Sequence, residues 1–288
     1  MTIHVLDADT PSAPLLQTAA GSMINLLKKL LVEGFGDYPG LGWTVEFEDV
    51  ANNKCVFKQP LGSNQMLLRV EESSLYHAVV RGYESMTDID TGVGAFPTVS
   101  QLAEPRFFKT TRTTTTYDRY WRFIADDTAY GFFLQVSTDS NYPTTRVSSQ
   151  MQVYYFGDFI SFVSGDAYNT VLITGNASLY GYSAIAYNLS SKPASGAAVP
   201  EIALAKDFSQ VGSATKGYPV GFNDNNYSLG NIAYPNPVDN KFWLTGAKLG
   251  EESAANGKLL RGRLPGLYFS MTTQPPWVDG DTVRNHND

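Results

Sequence analysis

The stretches AYGFFLQV, residues 129–136, and MQVYYF, residues 151–156, decide the fold class. A strand with one wet face alternates apolar and polar residues, because successive side chains point to opposite sides of the sheet. Here apolar residues fall on both sides: Phe132, Phe133 and Leu134 in the first stretch, and Val153, Tyr154, Tyr155 and Phe156 in the second. That is the pattern of strands enclosed between two layers. It predicts a core built on Trp121, Phe123, Phe132, Phe133, Tyr154, Tyr155 and Phe156. Working outward, further strands are expected at 54–58, 66–71, 75–82, 119–126, 159–164, 169–174 and 179–187. They are separated by Gly, Asn, Asp, Ser or Pro, a punctuation that favours antiparallel pairing. Trp43, Val45 and Phe47 alternate with Thr44, Glu46 and Glu48, as in a half-buried strand.

One segment has a different period. Met23, Leu27, Leu30 and Leu31 recur at helical spacing, with Asn25, Lys28, Lys29 and Glu33 on the other side and Gly34 placed to stop the helix. A helix over 20–33 is expected, its stripe packed on the sheet. The expected fold is therefore mainly β: an antiparallel β-sandwich or barrel-like sheets, one N-terminal amphipathic helix, and a loop-rich C-terminal third. Residues 1–187 would hold the helix and main β domain. NLSSKPASGAAVP, 188–200, has no usable period and reads as a loop or linker. Residues 201–288 would be loop-rich, with short strands near 241–249 and 258–263 and an extended arm.

Charge and cysteine content narrow the chemistry. Lys plus Arg is 21 against 28 for Asp plus Glu, a net charge of −7, which argues against a nucleic-acid partner, since phosphate backbones call for a basic field. Cys55 is the single cysteine, so an internal disulfide and a cysteine-rich metal cluster are both excluded, and a reducing cytoplasm fits as the folding compartment. The opening MTIHVLDADTPSAP lacks the basic patch and apolar run of a secretory signal. MINLLKKLL is broken by two lysines and falls short of the ~20 residues of a bilayer span, so no membrane insertion is expected.

Catalytic signatures are thin. The histidines are His4, His77 and His286, with no HExxH pair and no GxSxG elbow; His77 is expected to be an ordinary sheet residue. Glu71, Glu72, Asp126, Asp127, Asp158 and Asp166 sit at strand ends, where paired carboxylates would suit glycoside hydrolysis. Asp158 and Asp166 each follow a glycine, however, and turn chemistry explains them as well. DIDTG, 88–92, imitates the start of a calcium loop but lacks the third acid and the closing glutamate. Asx turns are expected there, at DADT (7–10) and at DGD (279–281). No catalytic, cofactor-binding or metal-binding residue is assigned, and no cofactor is expected.

LLRGRLPGLYFSM, 259–271, is too basic for a core strand, and Pro265 and Gly266 forbid a continuous helix. It reads as an extended arm. Arg261 and Arg263 would pair with a neighbouring subunit while Leu264, Leu267 and Tyr268 dock in its groove; the alternative is an intramolecular edge strand with solvated arginines. Tyr218, Phe222, Tyr227 and Tyr234 are further interface candidates, because an exposed aromatic ring brings large contact area.

Several stretches, in order, resemble a family of virion structural proteins from tailed bacteriophages: VLDADTPSAPLL, LVEGFG, GWTVEFED, LLRVEES, VVRGYESMTDIDTGVGAFPT, WRFIADDTAYGFF, FGDFISFVSGDAYNTVLITG, YPNP, LRGRLPGLYF and VDGDT. The resemblance implies a non-enzymatic particle component, made in the host bacterial cytoplasm and located in the virion. Its partners would be other virion proteins and copies of itself as a homo-oligomer. A tail subunit (baseplate, adaptor or fibre attachment) is the expected role, with capsid decoration as the alternative. A glycan-binding module or a glycan hydrolase of the tail is the alternative from another class.

Overall fold

The computed structural model describes residues 3–110, 117–126, 128, 130–138, 141–144, 151–174, 202–207, 209–210, 214–220, 242–253, 257–270 and 283–285. In chain order the elements begin with β1 (Ile3–Asp7) and helix α1 (Ser22–Lys28), which runs into a wider π-helical turn (Lys29–Glu33). Then come β2 (Thr44–Asp49), β3 (Lys54–Lys58), β4 (Leu67–Glu71), β5 (His77–Tyr83), β6 (Ser85–Met86), β7 (Gly92–Val93) and β8 (Arg106–Phe108). The larger sheet continues with β9 (Trp121–Asp126), β10 (Gly131–Ser137), β11 (Met151–Asp158), β12 (Ile160–Ser161) and β13 (Thr170–Ile173). It ends with β14 (Ile202–Leu204), β15 (Thr215–Val220), β16 (Phe242–Ser253), β17 (Gly257–Ser270) and β18 (Val283–Asn285).

The protein is mainly β and, apart from a parallel β16–β18 pair, antiparallel. β6 and β7 form a two-stranded sheet; of the two large sheets, one has the order β2-β3-β4-β5-β8 and the other runs β1-β9-β10-β11-β13-β14-β15-β16-β17-β12. These two large sheets enclose a core to which α1 and the π-turn add Met23, Leu26, Leu27, Leu30 and Leu31, all fully buried. The helical stripe expected from spacing packs inward, and Gly34 at φ 77° ends the helix where a side chain would be strained. Aromatic pairs join the layers: Phe107 stacks on Tyr154 at 4.4 Å, and Trp43 meets Phe132 edge-on at 5.7 Å. The Tyr154 hydroxyl, deep inside, accepts from Phe108 N (2.7 Å) and donates to Phe108 O (3.1 Å), so its polar end is satisfied. All seven aromatic residues expected in the core are buried.

A second core lies on the opposite face of the larger sheet. β12 continues β11 after the bend at Phe159 and pairs with β17, so β11/β12, β13, β14, β15, β16 and β17 close into a ring. Phe159, Val171, Ile173, Ile202, Leu204 and Leu264 fill it, together with Phe133 and Tyr155. This is why Phe132 and Phe133, or Tyr154 and Tyr155, are both apolar: neighbouring residues serve different cores. At the bend, Gly131 and Gly157 are cross-strand partners, and a Cβ on Gly157 (φ 148°) would lie 2.1 Å from Gly131 Cα.

Three features differ from expectation. β1 is a strand whose alternation, Ile3-His4-Val5, is only three residues long. The C-terminal strands are 12 and 14 residues long, not short. And 259–271 is no arm over residues 259–270, which lie within β17 between β16 and, at Gly262 and Arg263, β12. Pro265 and Gly266 do not break this strand because they fall at an irregularity, between the pairs Lys248↔Arg263 and Gly246↔Tyr268. An extra-residue bulge leaves ladder positions unused, and there a missing N–H costs little. The 188–200 segment and the expected 179–187 strand lie outside the described residues. β14, beyond them, pairs with β13, before them, so one hydrogen-bonded sheet carries both portions of the chain.

Candidate functional site

Charged side chains in the interior are the first place to look for chemistry. Helix α1 begins at Gly21 with no side-chain cap of its own, leaving backbone donors that need an acceptor. Glu72, just past β4, supplies it: Oε2 accepts from Met23 N at 3.0 Å and Ile24 N at 3.2 Å. Its Oε1 is ion-paired with Lys109 Nζ, and both side chains are fully buried. Lys109 Nζ also donates to Ala19 O at 2.9 Å. Burial raises the Glu72 carboxyl pKa and lowers that of Lys109, each toward its neutral form. The pair joins helix, β4 and β8 by electrostatics in a place that water does not reach.

The bend between β11 and β12 holds the second group. Asp158 Oδ1 accepts from Thr170 Oγ1 (2.7 Å) and Gln59 Nε2 (3.0 Å), and Oδ2 accepts from Asn64 N (2.9 Å). Burial raises its pKa. It thereby ties the β3–β4 connection to the ring. Asp166 pairs with Arg261 at 2.8 Å, with the two side chains 1% and 0% exposed. It also accepts from Ser161 Oγ at 2.7 Å and Tyr168 N at 3.0 Å. Of the remaining acids considered for catalysis, Glu71 pairs with Arg69 at 2.8 Å and Asp126 accepts from Thr128 N at 3.1 Å; Asp127 lies outside the described residues.

At 88–92, Asp88 Oδ1 accepts from Asp90 N and Thr91 N, both at 2.8 Å, an Asx turn. Asp90 faces two cations, Lys54 at 2.8 Å and Arg69 at 2.5 Å, which hold its pKa below the usual carboxyl value. Asp7 makes the Asx turn expected in DADT, accepting from Asp9 N at 3.1 Å; DGD and His286 lie outside the described residues. His77 on β5 is pushed down to about 4, by burial first and then by the nearby Arg106 charge, so at neutral pH it is an uncharged ring beside Phe108. Cys55 is buried, its thiol pushed up to about 12. Among the described residues no three His, Cys, Asp or Glu side chains gather as a metal site would require. A cleft of about 150 Å³ beside α1 includes Asn25, Asn53, Lys28 and Glu48; the last two are ion-paired at 2.6 Å, so their charges are already matched. No helix among the described residues is long and apolar enough to cross a membrane.

The expected interface residues divide three ways. Arg261 and Leu264 are buried within this chain, 0% and 2% exposed. That corrects the picture of an arm carrying them to a neighbour: Arg261 neutralises Asp166, and Leu264 fills the second core. Arg263, partly exposed, lies on β17 opposite Ile160. Leu267 and Tyr268 are placed on β17 and Tyr218 on β15, while Phe222, Tyr227 and Tyr234 lie outside the described residues.

Sequence reasoning missed the surface that stands out most, the edge strand β1. Ile3 and Val5 are 50% and 58% exposed. Across the sheet Val5 continues an apolar row through Ile124, Phe133, Tyr155, Ile173 and Ile202, so the second core runs out onto an open edge. β2, one edge of the other large sheet, instead carries Glu46, Glu48 and Asp49 and a register irregularity, devices that discourage strand addition. The available signal was Ile-x-Val, too short to separate from a loop. No protein-family model matches the chain, and no curated protein matches it.

Proposed function

We infer that this chain is a non-enzymatic structural subunit of a tailed-bacteriophage particle, acting through protein–protein contacts. The observation that carries this is how the acids are used. Glu71, Glu72, Asp126, Asp158 and Asp166, the described carboxylates that could serve glycoside hydrolysis, are each engaged by a cation or donor of this chain, and Glu72, Asp158 and Asp166 are buried where they join distant segments. An acid and base working on substrate need room for it between them. A two-core β body whose buried acids are matched internally suits a subunit whose work is to be packed against others. The resemblance noted above supports a place in the tail, as a baseplate, adaptor or fibre-attachment subunit, with capsid decoration as the competing location.

The test is to purify particles, separate heads from tails, and search each fraction for peptides of this chain by mass spectrometry. Enrichment with tails is the expected result. Enrichment with heads replaces the tail role by decoration, and absence from both overturns the particle assignment.

A further inference from the structure

The hydrogen-bond pattern of β1 defines a small free edge. Ala8 N donates to Trp121 O at 3.1 Å, and in the β1–β9 register this directs the backbone groups of His4, Leu6 and Ala8 toward β9. In an antiparallel pair such residues alternate with ones whose N–H and C=O point away. Ile3, Val5 and Asp7 therefore face outward. Asp7 is already satisfied, its N–H donating to Thr10 Oγ1 at 3.0 Å and its C=O accepting from Thr10 N at 3.0 Å. Ile3 and Val5 are left, and among the described residues their outward backbone groups have no partner.

We propose that this edge pairs with β1 of a second copy of the chain, antiparallel about a two-fold axis at His4. Building on the particle-subunit assignment, this supplies one contact through which copies meet. Three observations select the register and the occupant. Only with His4 opposite His4 of the copy do Ile3 and Val5 face Val5 and Ile3 of the copy, so that all outward groups of both residues are used in both chains. The same register sets exposed Ile3 and Val5 side chains against each other, extending the apolar row of the second core across the axis. Finally, a chain of net charge −7 repels itself, and Ile3–Leu6 is a strip without acids, whereas the β2 edge would oppose Glu46 and Glu48 to the same acids of the copy. The free edge is two residues long and covers far less than the roughly 1,200–2,000 Å² of a stable stand-alone interface. It therefore fits an assembly where other contacts already hold the copies together.

Disulfide trapping makes even a brief pairing covalent, so it reads this register on the purified, concentrated chain although the contact is too small to hold a dimer by itself. Cys55 is buried, so His4→Cys introduces the single accessible thiol. Directly opposed residues that do not exchange hydrogen bonds have Cα atoms about 4.5 Å apart, within disulfide range. Val5→Cys, opposite Ile3 of the copy, places its own two thiols too far apart. The expected result under mild oxidation is a disulfide-linked dimer of His4→Cys at least tenfold more abundant than that of Val5→Cys. A folded His4→Cys chain that gives no dimer, or as little as Val5→Cys, overturns the proposal. If His4→Cys does not fold, Ile3→Cys and Val5→Cys chains test the same register: a dimer from their mixture but from neither alone supports it, and none from the mixture refutes it. This result is independent of particle fractionation, so a trapped dimer from a chain absent from particles would remove the particle assignment and leave the pairing.

Discussion

Replacing Lys109 by Met tests whether the buried pair with Glu72 holds helix α1 to the sheets. Methionine keeps the length and apolar stem of lysine, so the main loss is the charge. Glu72 Oε2 keeps Met23 N and Ile24 N, whereas Oε1 loses Lys109 Nζ, the partner described for it. Breaking a buried ion pair on one side costs about 3–5 kcal/mol. Here the carboxyl can instead take up a proton. From an ordinary value of 4.5, protonation at pH 7 costs about 3.4 kcal/mol, which caps the charge penalty. A loss of about 3 kcal/mol is expected in urea unfolding followed by tryptophan fluorescence. Adding Glu72→Gln should return about 2 kcal/mol, since glutamine still offers an oxygen to the helix donors and leaves no buried charge. The pH dependence follows in sign. Without Lys109 the Glu72 carboxyl pKa is raised further above its unfolded value, so stability falls as pH rises through the window between them, and the deficit of Lys109→Met shrinks on acidification toward pH 5. A deficit below about 1 kcal/mol at pH 7, or a double variant as unstable as the two single losses added, refutes the reasoning.

Three other perturbations probe different parts of the fold. Burial raises the Asp158 carboxyl pKa, so the folded state holds its proton more firmly than the unfolded chain; the stability of the parent relative to Asp158→Asn should rise as pH falls from 7 toward 4, and a gap that is flat or reversed in urea titrations contradicts the assignment. Gly157→Ala puts a methyl 2.1 Å from Gly131 Cα at φ 148° and should cost more than about 3 kcal/mol through overpacking and backbone strain together, measured by the same unfolding assay; a loss within 1 kcal/mol would mean that the strands separate easily there. A chain nicked within 188–200 should elute as one body on native gel filtration, because β14 pairs with β13 across that segment; two separately eluting fragments would contradict it.

Much of the fold is legible locally. Doubly apolar stretches at 131–136 and 151–156, the 23–27–30–31 stripe ending at Gly34, and the Asx turns at Asp7 and Asp88 follow from side-chain period and short-range hydrogen bonding, which a sequence displays directly. The acids were visible as strand-end residues, yet their employment was not. Glu72 meets Lys109 across 37 residues, and Asp166 meets Arg261 across 95, so no local pattern announces either pair. Nor does a proline in a basic stretch reveal that a bulge will accommodate it.

By itself the sequence determined the class of this protein: a disulfide-free, acidic, two-layer antiparallel β body with one packed helix, since composition and periodicity act through neighbours a few residues apart. The tertiary structure alone decided that the sheet closes into a ring with a second core, that Arg261 and Leu264 face inward, and that Ile3 and Val5 remain on an open edge. Strand order, and with it which edges are left unpaired, depends on contacts between distant segments. Those contacts exist only once the chain has folded back on itself.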